Sequence, residues 1–224
     1  MSKAPPDVIA FIQARMSSRR FPGKVLAPFR GEPIIRHVIR SVADALPSVP
    51  LVVTTSVDAS DDPLAAYLRH LDVAVFRGEL LDVFRRFRDC LALFQCEWIL
   101  RISGDSPLLD ARILKAVVGR GLQEKDADLV TTIFPRTFPN GQNAELIRSD
   151  ALRAVDADAL TAEDREHVTP WFYRHPERFR IVNVSSGSAS LAALSFAVDS
   201  PEDLHRLEAS ADAEVNALAA ALHL

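Results

Sequence analysis

The sequence predicts an α/β protein built on a doubly wound, mostly parallel β-sheet. Two observations lead to this fold class. Short apolar runs of strand length alternate four times with amphipathic helical stretches, and the first of these runs is apolar at every position. Continuous apolar runs are typical of parallel strands, because helices cover both faces of such a sheet. Strands that alternate with helices in this way indicate a layered α/β domain.

The first half of the chain contains the alternating elements. Residues 8–12 form the first predicted strand, and residues 33–46 form the first helix because their apolar positions recur about every 3.6 residues. The same pattern predicts strands over residues 51–55, 73–76 and 98–102, and helices over residues 61–70, 80–94 and 110–122. Ligands of such sheets bind beyond the carboxyl ends of the strands, so we expect the chemistry in the loops that follow them.

The alternation breaks down after Leu129. We predict strands near residues 129–133, 144–148, 179–184 and 194–198, a helix that begins at Thr161, and an Ala-rich terminal helix over residues 211–222. A stretch rich in Pro, Asn and Gly separates the first two of these strands. We therefore expect a single domain over residues 1–224, with a small insertion lobe at about 135–187 that lies over the sheet.

The composition excludes several classes of protein. With 48% hydrophobic and 25% charged residues and a mean hydropathy of +0.07, the chain is typical of globular domains and not of disordered ones. Its formal net charge of −4 argues against nucleic acid or an anionic membrane as a partner. The N-terminus does not resemble a signal peptide, and no apolar run approaches the roughly 18 residues of a membrane helix. Cys90 and Cys96 form neither a zinc pattern nor a C-x-x-C pair, so we expect reduced thiols and a cytoplasmic location.

A strongly basic loop follows the first predicted strand. It contains Arg15, Arg19, Arg20 and Lys24, and none of its residues is acidic. Arginine forks, a lysine and a serine hydroxyl suit a polyphosphate, and a glycine in the loop permits close approach of the backbone. A solvated basic turn is the alternative that these residue types equally allow. The loop is not a P-loop, because Val25 follows Gly-Lys where that motif has Ser or Thr.

Two acidic residues follow other predicted strands. Asp105 comes after Gly104 at the end of one strand, and Asp199 directly follows the strand over residues 194–198. Carboxylates at such positions reach the ligand crevice, and Mg²⁺ typically takes one or two carboxylates together with phosphate oxygens. The alternative for Asp105 is a turn-forming residue before a proline. Ser200 and the proline after it signal a helix start directly behind Asp199.

Six ordered motifs carry a family resemblance. They read IQARMSSRRFPGKVL, FRGELLDVFRRF, RISGDSPLLD, FPNGQNAEL, REHVTPWFYRHPERF and AVDSPEDL, and they extend over nearly the whole chain. With these motifs the chain resembles the cytidylyltransferases that activate sugar acids as CMP conjugates, and most closely the branch of spore coat polysaccharide biosynthesis proteins. The resemblance implies the glycosyltransferase-A-like nucleotide-binding fold, which agrees with the alternation of strands and helices.

The resemblance also implies an activity and its partners. In this family a sugar hydroxyl attacks the α-phosphorus of CTP, Mg²⁺ serves as the cofactor, and pyrophosphate leaves. The expected partners are therefore CTP and a sugar or sugar-acid acceptor, and a homodimer is a further expectation.

The resemblance assigns roles to particular residues of this chain. The residues implied to bind the nucleotide are Ala14, Arg15, Ser18, Arg20, Gly23, Lys24, Arg77 and Gly78. The residues implied to act in catalysis are Arg15, Lys24 and Asp105, and those implied to hold Mg²⁺ are Asp105 and Asp199. The acceptor is expected to contact Glu145, Glu166 and His167. A packing or capping role is the alternative for this histidine.

Three positions depart from the pattern of the family. Arg19 stands where a small hydroxyl residue is more common, Asn143 where an acid is common, and Ser195 where an arginine often occurs. Two other functions therefore stay open. One is a nucleotide-sugar-binding, glycosyltransferase-like protein on the same fold. Such proteins typically use a metal-binding D-x-D motif, and D-x-D sequences occur at residues 126–128 and 156–158, but neither is predicted at the carboxyl end of a strand. The other is a non-catalytic partner in polysaccharide synthesis.

Overall fold

The structure of the protein is a computed structural model that describes residues 6–222. Its strands are β1 (Val8–Gln13), β2 (Pro28–Phe29), β3 (Glu32–Pro33), β4 (Leu51–Ser56), β5 (Ala74–Gly78), β6 (Trp98–Ser103), β7 (Leu129–Thr131), β8 (Glu145–Arg148) and β9 (Ile181–Asn183). Its helices are α1 (Ile34–Ala45), α2 (Asp62–His70), α3 (Val83–Leu93), α4 (Ala111–Gln123), α5 (Ser149–Ala154), α6 (Ala162–His167), α7 (Pro170–Arg174) and α8 (Pro201–Ala221). Short 3-10 helices lie at Lys24–Leu26, Ala59–Asp61, Ala157–Ala159 and Ala189–Ala193.

One large sheet organises the fold. Its strands lie in the order β5, β4, β1, β6, β8, β7 and β9, and β2 pairs with β3 in a separate hairpin. The four strands β5, β4, β1 and β6 are parallel to one another, and β9 is parallel to β7. Strand β8 runs antiparallel to both of its neighbours, and it is the only strand of this sheet within residues 6–222 that does so. The prediction of an α/β fold with a mostly parallel sheet is confirmed.

Helices cover both faces of this sheet. Val8, Ala10 and Ile12 of β1 pack on the side of α1, α2, α4 and α8, whereas Ile9 and Phe11 pack on the side of α3, α5 and α7. Successive side chains of a strand point to opposite faces, so a central strand that serves two helix layers must be apolar at every position. The unbroken apolar run at the start of the chain has this physical cause.

The expectation of a lobe over the sheet was wrong for part of residues 135–187. Strand β8 lies inside the sheet between β6 and β7, and β9 forms the edge of the sheet. An antiparallel strand needs no crossover helix, so β8 does not continue the strand–helix alternation that identifies the first half. Helices α6 and α7 follow β8 in the chain and pack on the face that α3 covers.

Residues 194–198 do not form the predicted strand. Their backbone hydrogen bonds go to two separate parts of the chain: the Phe196 N–H donates to the Asn140 carbonyl oxygen at 2.6 Å, and the Val198 N–H donates to the Asp105 carbonyl oxygen at 2.9 Å. A regular ladder needs one continuous partner strand, which this arrangement does not provide. The bond from Val198 nevertheless brings Asp199 next to the loop after β6.

A single helix, α8, unites the helix start predicted at Ser200 with the terminal helix predicted over residues 211–222. Ser200 and Asp203 form a capping box, in which each side chain accepts a hydrogen bond from the backbone N–H of the other residue. Both cysteines are buried and free, as predicted. No helix within residues 6–222 is long and apolar enough to cross a membrane.

Candidate functional site

A polar cleft of about 320 Å³ lies beyond the carboxyl ends of β1 and β6. Its walls come from the loop after β1, the loop after β6, the end of α6 and the residue before the cap of α8. Ligands of open parallel sheets bind at this edge. The cleft brings together many of the residues predicted for the site: Ala14, Arg15, Ser18, Arg20, Lys24, Asp105, Glu166, His167 and Asp199.

Gly104 allows the ends of β1 and β6 to lie side by side. Its N–H donates to the Gln13 carbonyl oxygen at 2.8 Å, which continues the pairing of the two strands by one residue. A Cβ atom at this position would lie 2.9 Å from Cβ of Ala14 and 3.0 Å from the Gln13 carbonyl oxygen. Only glycine fits between these atoms without displacing them, so this residue sets the distance between the basic loop and Asp105.

Gly23 shapes the basic loop just before Lys24. Its φ angle is 78°, in the left-handed region that glycine adopts without strain, and its N–H donates to the Met16 carbonyl oxygen at 2.8 Å. The 3-10 helix Lys24–Leu26 begins directly after it. This turn fixes the backbone of Lys24 at the base of the cleft. Gly23 itself does not line the cleft, so its contact with a nucleotide stays a prediction.

Asp61 anchors the other end of the loop and was missed by the sequence analysis. Its fully buried carboxylate accepts hydrogen bonds from the Met16 N–H at 2.6 Å and from the Thr55 hydroxyl and the Ser56 N–H, both at 2.9 Å. The carboxylate therefore ties the loop to the end of β4. The sequence did contain a signal for this role, since two hydroxyl residues at a strand end precede an acid by a few positions. Asp61 was instead assigned to the start of a helix.

Lys24 lies at the centre of an ionic cluster. Its buried ammonium group donates to Asp105 Oδ2 at 2.6 Å, to the Val198 carbonyl oxygen at 2.8 Å and to Asp199 Oδ1 at 3.1 Å. Arg20 forms an ion pair with the second oxygen of Asp199 at 3.0 Å. The two carboxylates predicted to hold a metal ion are thus close together, and two cations balance their charge.

The surroundings of Asp199 keep its carboxyl group ionised. Burial by itself would raise the pKa of Asp199, but the charges and hydrogen bonds of Lys24 and Arg20 outweigh burial and lower the pKa below its ordinary value of 3.8. This carboxyl group is therefore available as an anionic oxygen ligand at neutral pH.

Glu166 and His167 reach the cleft from α6. A capping box of Thr161 and Asp164 begins this helix, and Arg15 forms an ion pair with Glu166 at 2.6 Å. The hydrogen bond from Arg15 lowers the pKa of Glu166 below its ordinary value. After His167 the chain reverses in a γ-turn, since the Thr169 N–H donates to the His167 carbonyl oxygen at 2.8 Å.

The central residue of this γ-turn is Val168, whose φ angle is 69°. A β-branched residue at positive φ is strained, and such strain is common where a side chain must be held in place for function. The turn fixes the backbone directly after His167, which lines the cleft.

Glu145 does not line the cleft and instead lies behind Arg101, which does. Glu145 is 1% exposed, forms an ion pair with Arg101 across the β6–β8 pair, and accepts a hydrogen bond from the Tyr173 hydroxyl. Burial and the neighbouring charge of Glu145 raise the pKa of Tyr173. Arg101 also donates to Gln13 Oε1 at 3.1 Å. The side chain that faces the cleft here is thus Arg101, which the sequence analysis did not single out.

Arg77 and Gly78 lie outside the cleft. Arg77 donates to the carbonyl oxygens of Ser56 at 2.7 Å and Asp58 at 3.0 Å, and it forms an ion pair with Asp62 at 2.7 Å. These contacts direct its side chain toward the start of α2. A contact of Arg77 or Gly78 with the base or the ribose stays a prediction.

The three departures from the family pattern have different surroundings. Arg19 lines the cleft and adds a cation to it. Asn143 accepts a hydrogen bond from Arg136 Nη1 at 2.7 Å through its side-chain oxygen. The Ser195 hydroxyl accepts one from Asn140 Nδ2 at 3.4 Å.

Neither D-x-D sequence belongs to the cleft. Asp126 forms an ion pair with Arg180, and Asp128 accepts a hydrogen bond from the N–H of the same residue at 2.9 Å. Asp156 caps a 3-10 helix by accepting a hydrogen bond from the Asp158 N–H at 3.0 Å. Both motifs serve local structure, so the cleft does not have the D-x-D of a glycosyltransferase-like binder.

A second cavity of about 720 Å³ adjoins the cleft. Arg15, Arg19 and Glu166 line both spaces, and the second cavity continues to Leu80 and Leu81 in the loop after β5. Charged residues line most of the second cavity as well, and Leu80 and Leu81 add apolar surface to it.

The residues around Lys24 fit a divalent cation that is shared with a ligand. Asp105 and Asp199 offer two carboxylates, and residues 6–222 contain no cluster of three or more His, Cys, Asp or Glu side chains that could hold a metal alone. Oxygen ligands suit Mg²⁺, which usually keeps water or takes phosphate oxygens beside one or two carboxylates. The site is therefore suited to a magnesium ion that arrives with phosphate.

A basic loop and a carboxylate pair at the carboxyl edge of a mostly parallel sheet are features expected of a nucleotidyltransferase. The family model of the cytidylyltransferases matches residues 9–210 of this sequence. The chain therefore belongs to the cytidylyltransferase family, as its motifs predicted.

Individual relatives agree with this assignment. The structure of a cytidylyltransferase from Leptospira borgpetersenii has a TM-score of 0.88 and 27% identity, and the match covers 96% of this chain and 92% of that one. The spore coat polysaccharide biosynthesis protein SpsF of Bacillus subtilis is 28% identical over an alignment of 180 residues, and the match covers 78% of this chain and 73% of the relative. A CMP:2-keto-3-deoxy-manno-octonic acid synthetase solved with CTP has the same fold, with a TM-score of 0.71, 14% identity and coverage of 93% and 99%.

Proposed function

We propose that this protein is a Mg²⁺-dependent cytidylyltransferase that activates a sugar or sugar acid with CTP for the synthesis of a surface polysaccharide. The observation that carries the proposal is the cluster of Lys24, Asp105 and Asp199 beside the basic loop, at the ligand-binding edge of the sheet. The similarity to SpsF supports the link to polysaccharides, and the synthetase solved with CTP supports the choice of nucleotide.

The triphosphate lies along the basic loop in this proposal. Arg15 and Arg20 provide paired donors for phosphate oxygens, Lys24 provides a compact charge, and Ser18 provides a hydroxyl. Asp105 and Asp199 hold the magnesium ion, which neutralises phosphate charge when it is bound. The second cavity, with Leu80 and Leu81 at its far end, accommodates the ribose and the base.

The reaction is an in-line substitution at the α-phosphorus. A new bond forms between the acceptor hydroxyl oxygen and the α-phosphorus, and the hydroxyl proton is released to solvent. The bond between that phosphorus and the oxygen that bridges to the β-phosphate breaks, and pyrophosphate leaves. The protein contributes mainly by holding the two reactants in line and by stabilising the charge that develops on the phosphate oxygens. Arg15 and Lys24 carry this stabilisation, so they act on the reacting group itself.

The acceptor occupies the wall formed by Arg101, Glu166 and His167. Arg101 is held from behind by Glu145, so its guanidinium group is already oriented when the acceptor arrives. A preorganised guanidinium group binds a carboxylate or vicinal hydroxyls with little loss of side-chain entropy. Glu145 then acts by positioning Arg101 and not by touching the sugar.

The function is tested by measuring pyrophosphate release from CTP, UTP, ATP and GTP in the presence of a panel of sugars and sugar acids. We expect release that requires CTP, Mg²⁺ and one class of acceptor. The Asp105→Asn variant should lose most of this release, whereas the matched Asp150→Asn variant, in which an exposed carboxylate of α5 is neutralised, should keep it.

Two results would contradict the proposal. Equal pyrophosphate release from all four nucleotides would show that the protein does not select CTP. Tight binding of a nucleotide sugar without any release from CTP, across the whole panel, would favour a glycosyltransferase-like binder.

A further inference from the structure

We propose that Lys24 is a built-in counter-cation: in the nucleotide-free protein, its ammonium group holds the position between Asp105 and Asp199 that a divalent cation takes when nucleotide binds. The inference rests on the proposed function, because it treats these two carboxylates as the metal ligands. It adds a coupling between metal binding and nucleotide binding that acts through one side chain of this protein.

The contacts of Lys24 use every hydrogen-bond donor that it has. An ammonium group has three N–H donors, and Lys24 directs them to Asp105 Oδ2 at 2.6 Å, to the Val198 carbonyl oxygen at 2.8 Å and to Asp199 Oδ1 at 3.1 Å. A cation surrounded by two carboxylate oxygens and a carbonyl oxygen has the kind of ligand set that suits a hard divalent ion. Lys24 therefore cannot bind a phosphate oxygen without releasing one of these partners.

The two carboxylates do not depend on Lys24 for their proximity. The Val198 N–H donates to the Asp105 carbonyl oxygen at 2.9 Å, and the Asp199 N–H donates to Asp203 Oδ2 in the capping box of α8 at 3.0 Å. These two bonds anchor the backbone at both acids, so the acids stay at the cleft when the lysine side chain moves. The backbone of Lys24 is fixed by the turn at Gly23, so only its flexible side chain has to change position.

Charge balance explains why nucleotide has to accompany the metal ion. Lys24 and Arg20 together neutralise Asp105 and Asp199 in the nucleotide-free protein. A divalent cation that entered this balanced cluster alone would leave two uncompensated positive charges in a confined site. Phosphates compensate this charge and also offer Lys24 new acceptors, so each ligand favours the binding of the other.

The test is a titration of Mn²⁺ into the full chain without nucleotide. The amount of bound Mn²⁺ is measured from the enhancement of water proton relaxation that protein-bound Mn²⁺ causes. We expect weak binding to the wild type and binding that is tighter by about tenfold or more in Lys24→Met, because the competing charge is gone. The matched control is Lys115→Met, which removes an exposed lysine of α4 and should leave the affinity unchanged. Adding Asp199→Asn to Lys24→Met should abolish the gain.

Two further arms keep the outcome decisive. Lys24→Gln, whose amide can still donate to the carboxylates, replaces Lys24→Met if that variant does not fold. In the second arm, wild type and Asp105→Asn are titrated with Mn²⁺ in the presence of CTP, and Asp105→Asn should show much weaker relaxation enhancement.

The possible failures are distinguishable. If wild type binds Mn²⁺ without nucleotide as tightly as the Lys24 variants, the inference is wrong while the metal site stands. If Asp105→Asn matches wild type in the presence of CTP, the proposed metal site is wrong and the inference falls with it.

Discussion

At the scale of single residues, the cleft depends on one glycine, Gly104, as well as on its charged side chains. Gly104 lies between Ala14 and the Gln13 carbonyl oxygen, where the structure leaves no room for a methyl group. Gly119 in α4 is the opposite case, since a Cβ atom there would meet no atom within 4 Å apart from those of the adjoining helix backbone and its chain neighbours. Alanine substitutions at these two glycines therefore distinguish the effect of close packing from the effect of helix propensity.

Gly104→Ala is expected to destabilise the protein by about 1–3 kcal/mol, because the new methyl group forces two strand ends apart. It should also reduce turnover strongly, since the strand ends set the position of Asp105. Gly119→Ala should be neutral or stabilise by about 0.5–1 kcal/mol through helix propensity. Chemical unfolding of both variants checks the prediction, and equal stabilities would show that Gly104 is not needed for close packing.

Lys24→Ala is expected to weaken CTP binding about ten- to a hundredfold, because a charge-assisted contact contributes about 1.5–3 kcal/mol. Calorimetric titration of CTP in the presence of Mg²⁺ measures the change. Lys115→Ala, which removes a solvent-exposed lysine, is the control and should bind like wild type. Wild-type affinity in Lys24→Ala would remove this residue from the phosphate site.

At the scale of elements, α6 is short and depends on its ends for its position. Thr161 and Asp164 cap its start, and Arg174 of α7 forms an ion pair with the fully buried Asp164. The γ-turn at Val168 ends the helix and directs the chain into α7. Because Glu166 and His167 lie between these two fixed points, the stability of α6 and the shape of the cleft are linked.

The stability of this element should depend on pH in the acid range. Burial would raise the pKa of Asp164, but hydrogen bonds from Arg174 and Thr161 lower it below its ordinary value of 3.8. A carboxyl group with a lowered pKa in the folded state stabilises the protein above pH 3.8, and this stabilisation is lost as the pH falls below that value.

Asp164→Asn should therefore be less stable than wild type near neutral pH by about 1 kcal/mol, and its stability should fall less steeply in acid. Thermal melts between pH 7 and pH 3 measure both effects. Asp150→Asn serves as the control because its carboxylate is exposed. Parallel curves for wild type and Asp164→Asn would contradict the assignment.

At the scale of the whole molecule, the sequence predicted what local periodicity determines. The parallel strands were predictable, because a strand that is buried on both faces of the sheet is apolar at every position. Their helices were predictable from the 3.6-residue period of their apolar positions. The strand predicted over residues 194–198 does not form, and β8 was predicted as a strand but assigned to a lobe over the sheet. Contacts with distant segments decide whether a stretch pairs regularly and whether it joins the sheet. The basic loop, Asp105 and Asp199 were likewise identified from their positions in the chain, although the strand predicted before Asp199 does not form.

The directions of individual side chains could not be read in the same way. Glu145 turned out to lie behind Arg101, and Arg77 is held by oxygens near the start of α2. Both placements depend on partners that are far away in the sequence. Asp61 was overlooked for the same reason, since its carboxylate accepts a hydrogen bond from the Met16 N–H, which lies in another loop.

The cleft joins parts of the chain from Gln13 to Asp199, so a ligand that fills it should stabilise the whole fold. At a free concentration of one hundred times Kd, a ligand adds about 2.7 kcal/mol to the free energy of unfolding. For a chain of this size, that corresponds to a rise in Tm of roughly 5–10 °C. We expect this rise with Mg²⁺ and CTP together and almost none with Mg²⁺ alone, because Lys24 and Arg20 already neutralise the two acids. The comparison is made by thermal melts with Mg²⁺ alone, with CTP alone, with both, and with Mg²⁺ and ATP. A full rise in Tm with Mg²⁺ alone would contradict the expected coupling. An equal rise with Mg²⁺ and ATP would contradict the selection of cytosine.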